Sequence, residues 1–145
     1  DVPIFIHGFA AIAEGVGEKL QPYEPEESWY LVSKPDVSIS TAQIFNHPDL
    51  PRDTAKIDNK NLDLTVSKND CENLVLKHYP EVAKLRSWLL EYAPSKLTGT
   101  GACLFSTFKT ESDAKSVQSL LPENIESFVA KGCNLSPLHS ALANL

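Results

Sequence analysis

The strongest constraint on the fold is an alternation of strand-like and helix-like segments that runs from residue 28 to the end of the chain. The order is strand, helices, strand, helix, strand, helix, without an internal repeat. Helices with one apolar face need a sheet on which to bury it. The order therefore predicts an α+β fold in which the helices cover one face of a small sheet.

Runs of β-branched and aromatic residues predict the strands. The expected strands are residues 29–32, which Pro35 stops, residues 104–108 and residues 128–130. Residues 46–66 are polar and contain two prolines, so we expect a surface loop there.

Capping residues and apolar spacing predict the helices. The expected starts are Ser40-Thr41, Ser67 with Asp70, Pro80, Thr110 with Asp113, and Ser136-Pro137. One apolar face is formed by Val82, Leu85, Leu89 and Tyr92, and another by Ala114, Val117, Leu120 and Leu121.

The opening segment, residues 4–23, is apolar and punctuated by Gly8, Gly15 and Gly17. This pattern predicts short strands joined by tight turns. A polar connector rich in proline and glutamate follows, and we place a domain boundary there, between residues 1–25 and 26–145. Strands separated from the sheet to which they belong should pack poorly or recruit a partner.

Composition and charge exclude several classes of function. The net charge of −6 disfavours nucleic-acid and anionic-membrane binding, which need an excess of lysine and arginine. The longest apolar stretches are too short to cross a bilayer, and no leader precedes them. We therefore expect a soluble protein.

Cysteine and histidine spacing favours neither a disulfide framework nor a metal site. Cys71, Cys103 and Cys133 are far apart, and we expect Cys103 to be an inert core thiol in a reduced cytoplasm. The four histidines lack the spacing that places two ligands on one helix face, so no metal site is assigned. The chain also contains no methionine and opens on Asp1-Val2-Pro3, which suggests a fragment of a longer protein.

The most unusual local feature is the loop Thr98-Gly99-Thr100-Gly101-Ala102. Two glycines beside a threonine permit backbone conformations that direct several N–H groups at an anion. A plain tight turn before a strand is the alternative, since the loop has no lysine and is not a Walker loop. In either case we expect Gly99 or Gly101 at positive φ.

Three further residues have both a structural and a functional interpretation. Asp1 could cap a helix or act as a base, and Thr41 could cap a helix or contact a ligand. Phe45, among polar neighbours, could pack in the core or offer a platform for a base. We expect Phe45 to be partly exposed, on the same side as Thr41.

Five segments, taken in their order along the chain, resemble a single protein family. DVPIF, AEGVGEKL, PDVSISTAQIF, SWLLEYAPSKLTGTGACLF and FVAKGCNLSPLH resemble, over essentially the whole chain, the C-terminal half of GHMP kinases. TGTGACLF resembles the third GHMP motif. The last segment and SISTAQIF point to the branch acting on 4-diphosphocytidyl-2-C-methyl-D-erythritol more strongly than to galactokinase, homoserine kinase or mevalonate kinase.

The resemblance implies roles for the candidate residues. Asp1 would deprotonate the substrate 2-hydroxyl as it attacks the γ-phosphate of ATP, with Mg²⁺ as the second cofactor. Phe45 would stack on cytosine, Thr41 would lie beside the reacting centre, and Gly99, Thr100, Gly101 and Ala102 would line the phosphate side. Ala42, where relatives often have proline, is a minor departure.

The resemblance also implies a fold and a missing partner. Residues 1–25 would be the last strands of an N-terminal domain, and residues 26–145 a ferredoxin-like GHMP C-terminal domain. The glycine-rich phosphate loop and the cytidine-recognising tyrosine and histidine would lie in a missing N-terminal half, so this chain alone should be inactive. The alternatives are a non-catalytic cytidine-binding or structural module, and a GHMP kinase of another small alcohol.

Overall fold

The computed structural model describes residues 2–56 and 67–143. The helices are α1 Val2–His7, α2 Thr41–Phe45, α3 Asp70–His78, α4 Pro80–Leu89, α5 Glu111–Gln118 and α6 Pro137–Ala143. The strands are β1 Ala11–Glu14, β2 Lys19–Pro22, β3 Trp29–Lys34, β4 Ser95–Leu97, β5 Leu104–Phe108 and β6 Glu126–Lys131. None of the helices in these two ranges is long and apolar enough to cross a bilayer.

The chain forms two compact units. One comprises Asp1–Glu27 with Lys131–Leu145, and the other Ser28–Ala130. The predicted domain boundary between residues 1–25 and 26–145 stays a prediction. The two units are divided differently, because residues 131–145 group with the opening segment.

The larger unit has a ferredoxin-like arrangement. Its four-stranded sheet has the order β4-β5-β3-β6, and both β3 and β4 pair antiparallel with β5. Helices α2 to α4 lie in sequence between β3 and β4, and α5 lies between β5 and β6. The predicted α+β fold is confirmed. Strand β4 was not predicted, because a strand of three residues is too short to show a recognisable pattern in the sequence.

One face of this sheet is buried under helices. Burial alternates along β5, where Leu104, Ser106 and Phe108 are buried, as expected for a period of two. Leu31 of β3 and Leu89 of α4 are fully buried in the same core. The hydroxyls of Ser95 and Ser106 share a 2.6 Å hydrogen bond, so each satisfies the other inside the core.

Most predicted helix starts are confirmed. Ser40 caps α2 by accepting from the Gln43 amide, and Thr110 caps α5 by accepting from the Asp113 amide at 3.1 Å. Pro80 occupies the first turn of α4. In α6, Pro137 is likewise the first residue.

Three helix predictions need correction. The cap of α3 is Asn69, and neither Ser67 nor Asp70 has that role. Helix α4 ends at Leu89, so Tyr92 leaves the apolar face and is exposed. Helix α5 ends at Gln118, which leaves Leu120 exposed for the same reason. Of the predicted loop 46–66, residues 57–66 lie outside the described residues.

The smaller unit contains a helix where strands were predicted. Residues 4–7 belong to α1, whereas β1 and β2 form the expected hairpin with Gly15 and Gly17 at positive φ. Phe5 is 75% exposed and α1 buries none of its residues, so the poor packing predicted for the opening segment is observed for this helix. A bridge between Phe9 and Leu135 joins the opening and final segments.

Candidate functional site

The loop between β4 and β5 is the tight turn that the sequence predicts. The Thr98 amide donates to the Cys103 carbonyl at 3.0 Å, and the Gly101 amide donates to the Thr98 carbonyl at 3.0 Å. Gly99 has φ +56° and Gly101 has φ +84°, so the prediction of positive φ is confirmed for both. The Gly101 amide is engaged within the turn, and an anion would have to use other amides of the loop.

The two glycines are required for different reasons. A Cβ atom built on Gly101 would lie 3.1 Å from Ile39 Cδ1 and 3.1 Å from Leu97 Cδ1. The same atom on Gly99 would meet nothing within 4 Å. Gly101 therefore allows the loop to pack on the core, whereas Gly99 leaves open space in which a ligand could approach the backbone.

A hydrogen bond brings the first residue of α2 to this loop. The hydroxyls of Thr41 and Thr100 lie 2.9 Å apart, although the two residues are far apart in the chain. Phe45 follows Thr41 by one helical turn, so both side chains project from the same face of α2. Phe45 is 53% exposed, which confirms the prediction of a partly accessible ring.

Arg52 fixes the end of α2, and its role was not predicted. Its guanidinium donates to the Phe45 carbonyl at 2.6 Å and to the His47 carbonyl at 3.5 Å. Carbonyls at a helix C-terminus have no partner within the helix, and a cation beside them is favourable. No local pattern in the sequence distinguishes this arginine from a solvated one.

Asn69 is a second residue whose role was not predicted. Its side-chain nitrogen donates to the Leu97 carbonyl at 3.1 Å and to the Gly99 carbonyl at 2.7 Å. Its side-chain oxygen accepts from the Cys71 amide at 3.0 Å and so caps α3. One amide group thus joins the start of α3 to the glycine loop. Asparagine before Asp70 was a usable cap signal, but its contact with the loop is long-range.

Charged groups near this junction are paired. Glu72 lies 3.1 Å from the Arg86 guanidinium and also accepts from the Leu97 amide at 2.7 Å, which holds α3, α4 and β4 together. Burial, and secondarily the neighbouring carboxylate of Asp70, raises the pKa of the Cys71 thiol, which therefore stays protonated. Cys103, predicted in the core, is only partly buried.

We expect Asn69→Ala to destabilise the larger unit by about 2–4 kcal/mol, because it removes a cap and leaves two carbonyls without their donor. Urea unfolding monitored by circular dichroism measures the change. Asn69→Ser is the matched control, since its hydroxyl retains a capping acceptor and is too short to donate to the two carbonyls. It should fall between wild type and Asn69→Ala, and equal stability of all three chains would contradict a role in holding the loop.

Of the predicted site residues, the structure brings together Thr41 and the loop Gly99–Ala102, with Phe45 on the same helix as Thr41. Asp1 lies outside the described residues. The loop Thr98–Ala102 carries hydroxyls and backbone amides but no carboxylate and no lysine. Such a loop suits hydrogen bonding to an anion and does not suit a magnesium ion, which prefers carboxylate oxygens.

The sequence of the chain matches a protein family. Residues 51–127 match the family described as GHMP kinases C terminal, which is more than half of the chain.

Individual proteins resemble the chain over nearly its whole length. It is 58% identical to 4-diphosphocytidyl-2-C-methyl-D-erythritol kinase of Shewanella pealeana, over 99% of this chain and 50% of that protein. Identity to the kinase of the same name from Colwellia psychrerythraea is 57%, over 100% of this chain and 50% of that protein. The chain therefore spans about half the length of these curated relatives.

A solved structure has the same fold. A crystal structure of 4-(cytidine 5'-diphospho)-2C-methyl-D-erythritol kinase matches with a TM-score of 0.77 at 21% identity, over 92% of this chain and 53% of that chain.

Proposed function

We propose that the chain is part of an ATP-dependent kinase, because it belongs to the GHMP kinase family and carries its C-terminal domain. The substrate proposed is 4-diphosphocytidyl-2-C-methyl-D-erythritol, phosphorylated on its 2-hydroxyl in the non-mevalonate route to isoprenoid precursors. The names of its relatives support this substrate. The observation that carries the proposal is the Thr41–Thr100 hydrogen bond, which joins the helix of Phe45 to the glycine loop.

Phe45 is proposed to bind the cytosine end of the substrate. Its exposed ring offers a flat apolar surface, and stacking on a base contributes roughly 1–3 kcal/mol. Arg52 supports this role because it fixes the backbone that carries the ring. A substrate without a planar base would gain little from such a side chain.

Thr41 and Asp1 are proposed to act at the reacting end. The Thr41 hydroxyl, positioned by Thr100, can hydrogen-bond to the substrate. Asp1 would accept the proton of the 2-hydroxyl as that oxygen attacks phosphorus, which leaves the carboxyl protonated. Alignment of the two reactants supplies most of the acceleration in such a transfer, so Asp1 would be one contributor among several.

The glycine loop is proposed to line the phosphate side of the site. Open space beside Gly99 supports this role, because a phosphate oxygen could approach the backbone there. When bound, ATP supplies the phosphoryl group that is transferred. The loop lacks the charged groups needed to hold either ATP or Mg²⁺ by itself, so the remaining contacts would come from the half of the relatives that this chain does not span.

The proposal extends to domains and location. Residues 1–25 would complete an N-terminal nucleotide-binding domain, and residues 26–145 would form the C-terminal domain. A cytoplasmic location is proposed from the three free cysteines, of which Cys133 is exposed and would oxidise readily in an oxidising compartment.

A chimera tests the role of Phe45. The chimera fuses this chain to the part of the Shewanella pealeana kinase that the sequence match does not cover. We expect Phe45→Ala to raise the KM for the cytidine substrate roughly 5- to 150-fold, the equivalent of 1–3 kcal/mol, and to leave the KM for ATP unchanged. Steady-state kinetics with each substrate varied in turn measures both constants.

Phe45→Tyr is the matched control, since it keeps the aromatic face and should retain a KM near that of the unsubstituted chimera. Because the ring is half exposed, Phe45→Ala should also unfold at nearly the same urea concentration as the parent. An unchanged KM for the cytidine substrate in Phe45→Ala would remove this residue from the site and favour a kinase of another small alcohol.

A further inference from the structure

Three potential metal ligands meet on the surface of the larger unit. Nitrogen atoms of His47 and His78 and a carboxylate oxygen of Asp49 all lie within 4.8 Å of one another. His47 and Asp49 belong to the segment after α2, and His78 is the last residue of α3. Spacing along the chain gave no sign of this group, because the fold brings distant residues together.

We propose that His47, Asp49 and His78 bind a divalent transition-metal ion, zinc being the ion that this donor set suits. Zinc, a borderline ion, takes imidazole nitrogens together with a carboxylate oxygen, which is the donor set that these three residues offer. Calcium and magnesium are disfavoured, since both prefer oxygen atoms alone. Three protein ligands leave a fourth position of the tetrahedron open to water or to another ligand.

The ligand atoms can close to the distances that zinc requires. Zinc–nitrogen and zinc–oxygen bonds of about 2.0–2.2 Å put neighbouring ligand atoms roughly 3.3–3.6 Å apart in a tetrahedron. Asp49 and His78 are exposed and His47 is partly buried, so the first two side chains can rotate without repacking the core. The two imidazole rings are already neighbours, with centroids 4.9 Å apart.

Metal binding would break two weak interactions of these side chains. The Lys77 ammonium lies 3.3 Å from the Asp49 carboxylate, with both side chains largely exposed. The Asp49 amide donates to Nδ1 of His47 at 3.1 Å, so that nitrogen is the unprotonated one. Binding through Nδ1 displaces this amide, and binding through Nε2 requires the ring proton to move to Nδ1. Water can solvate both released groups because they lie at the surface.

The position of the site indicates what the metal would do. Coordination would cross-link the segment that follows α2 to the end of α3. The ligand on that segment, His47, lies only two residues beyond Phe45. A cross-link that exists only in the folded chain stabilises it and orders that segment. The role is separate from phosphoryl transfer, because none of the three residues is assigned to that chemistry.

Zinc titration of the 145-residue chain tests the proposal. A Cys133→Ser background removes the exposed thiol that would compete for the metal. Isothermal titration calorimetry should show one equivalent of Zn²⁺ bound, and the thermal unfolding midpoint should rise with Zn²⁺ concentration. In His78→Ala and in Asp49→Asn the affinity should fall roughly tenfold or more, as even outer-shell substitutions reduce metal affinity by that factor.

Two further variants make the result specific. Lys77→Gln should bind Zn²⁺ more tightly than the background, because the ammonium both occupies the Asp49 carboxylate and repels the incoming cation. His7→Ala, in the other unit, should bind as the background does and controls for general loss of a histidine. Circular dichroism establishes that each variant is folded. Equal Zn²⁺ affinity in the background, His78→Ala and Asp49→Asn chains would overturn the proposal and indicate an adventitious ion only.

Discussion

Replacing Gly101 with alanine is expected to destabilise the larger unit by about 2–5 kcal/mol, whereas Gly99→Ala should reduce stability by only about 1–2 kcal/mol. Both glycines have positive φ, so either alanine must adopt a left-handed backbone conformation. Only at Gly101 would the new methyl group also crowd two core side chains, Ile39 and Leu97, at 3.1 Å. The difference between the variants therefore isolates the packing contribution.

Urea unfolding of the two variants and the parent chain measures this difference, with the slope of the transition checked for constancy. In the chimera, Gly101→Ala should also lower kcat/KM, since the displaced loop carries Thr100 away from Thr41. Gly99→Ala adds a methyl group that meets no atom of the chain. A loss of activity in that variant while the chimera remains folded would support close approach of a ligand to the loop. Equal destabilisation by both alanines would show that backbone strain alone matters.

Local chemistry made much of the fold predictable. Ser40 and Thr110 cap helices through contacts within three residues, and glycines at 99 and 101 allow a turn that few other residues could form. Such signals lie next to one another in the chain, so a sequence carries them directly. The order of strands and helices also indicated the α+β class, because helices with one apolar face need another element on which to bury it.

The features that sequence could not predict depend on contacts between distant residues. Val2–His7 is a short apolar run without a decisive period, and such runs are ambiguous between helix and strand. The Asn69 bridge to Gly99 and the meeting of His47 with His78 exist only after the chain has folded. The roles proposed for Thr41 and Phe45 came from the resemblance to GHMP kinases, since the local sequence left a structural interpretation open for each.

The rival interpretations differ in what the chain does without further domains. A binding module would retain affinity for the cytidine end of the substrate and gain no activity from an added domain. A kinase half would instead depend on groups that the relatives carry outside the matched region, because the chain spans about half their length. The chimera defined above and the 145-residue chain therefore form a natural pair for comparison.

The 145-residue chain alone is expected to show no measurable kinase activity, and the chimera is expected to be active. Phosphoryl transfer requires cradling of the β- and γ-phosphates and neutralisation of their charge. The loop Thr98–Ala102 has neither lysine nor carboxylate for that purpose, and its Gly101 amide is engaged within the turn. ATP-dependent phosphorylation of 4-diphosphocytidyl-2-C-methyl-D-erythritol, followed by mass spectrometry of the product, measures both proteins.

Asp1→Asn in the chimera then tests the proposed base. We expect kcat to fall about a hundred- to ten-thousand-fold, the usual contribution of a positioned general base, with KM little changed because asparagine preserves size and hydrogen bonding. Asp36→Asn is the matched control: Asp36 is exposed and lies just beyond β3, and its substitution should leave kcat unchanged. A chimera with Asp1→Asn that turns over at the parent rate would exclude Asp1 as the base. Turnover by the 145-residue chain alone at the rate of the chimera would contradict the dependence on a second half.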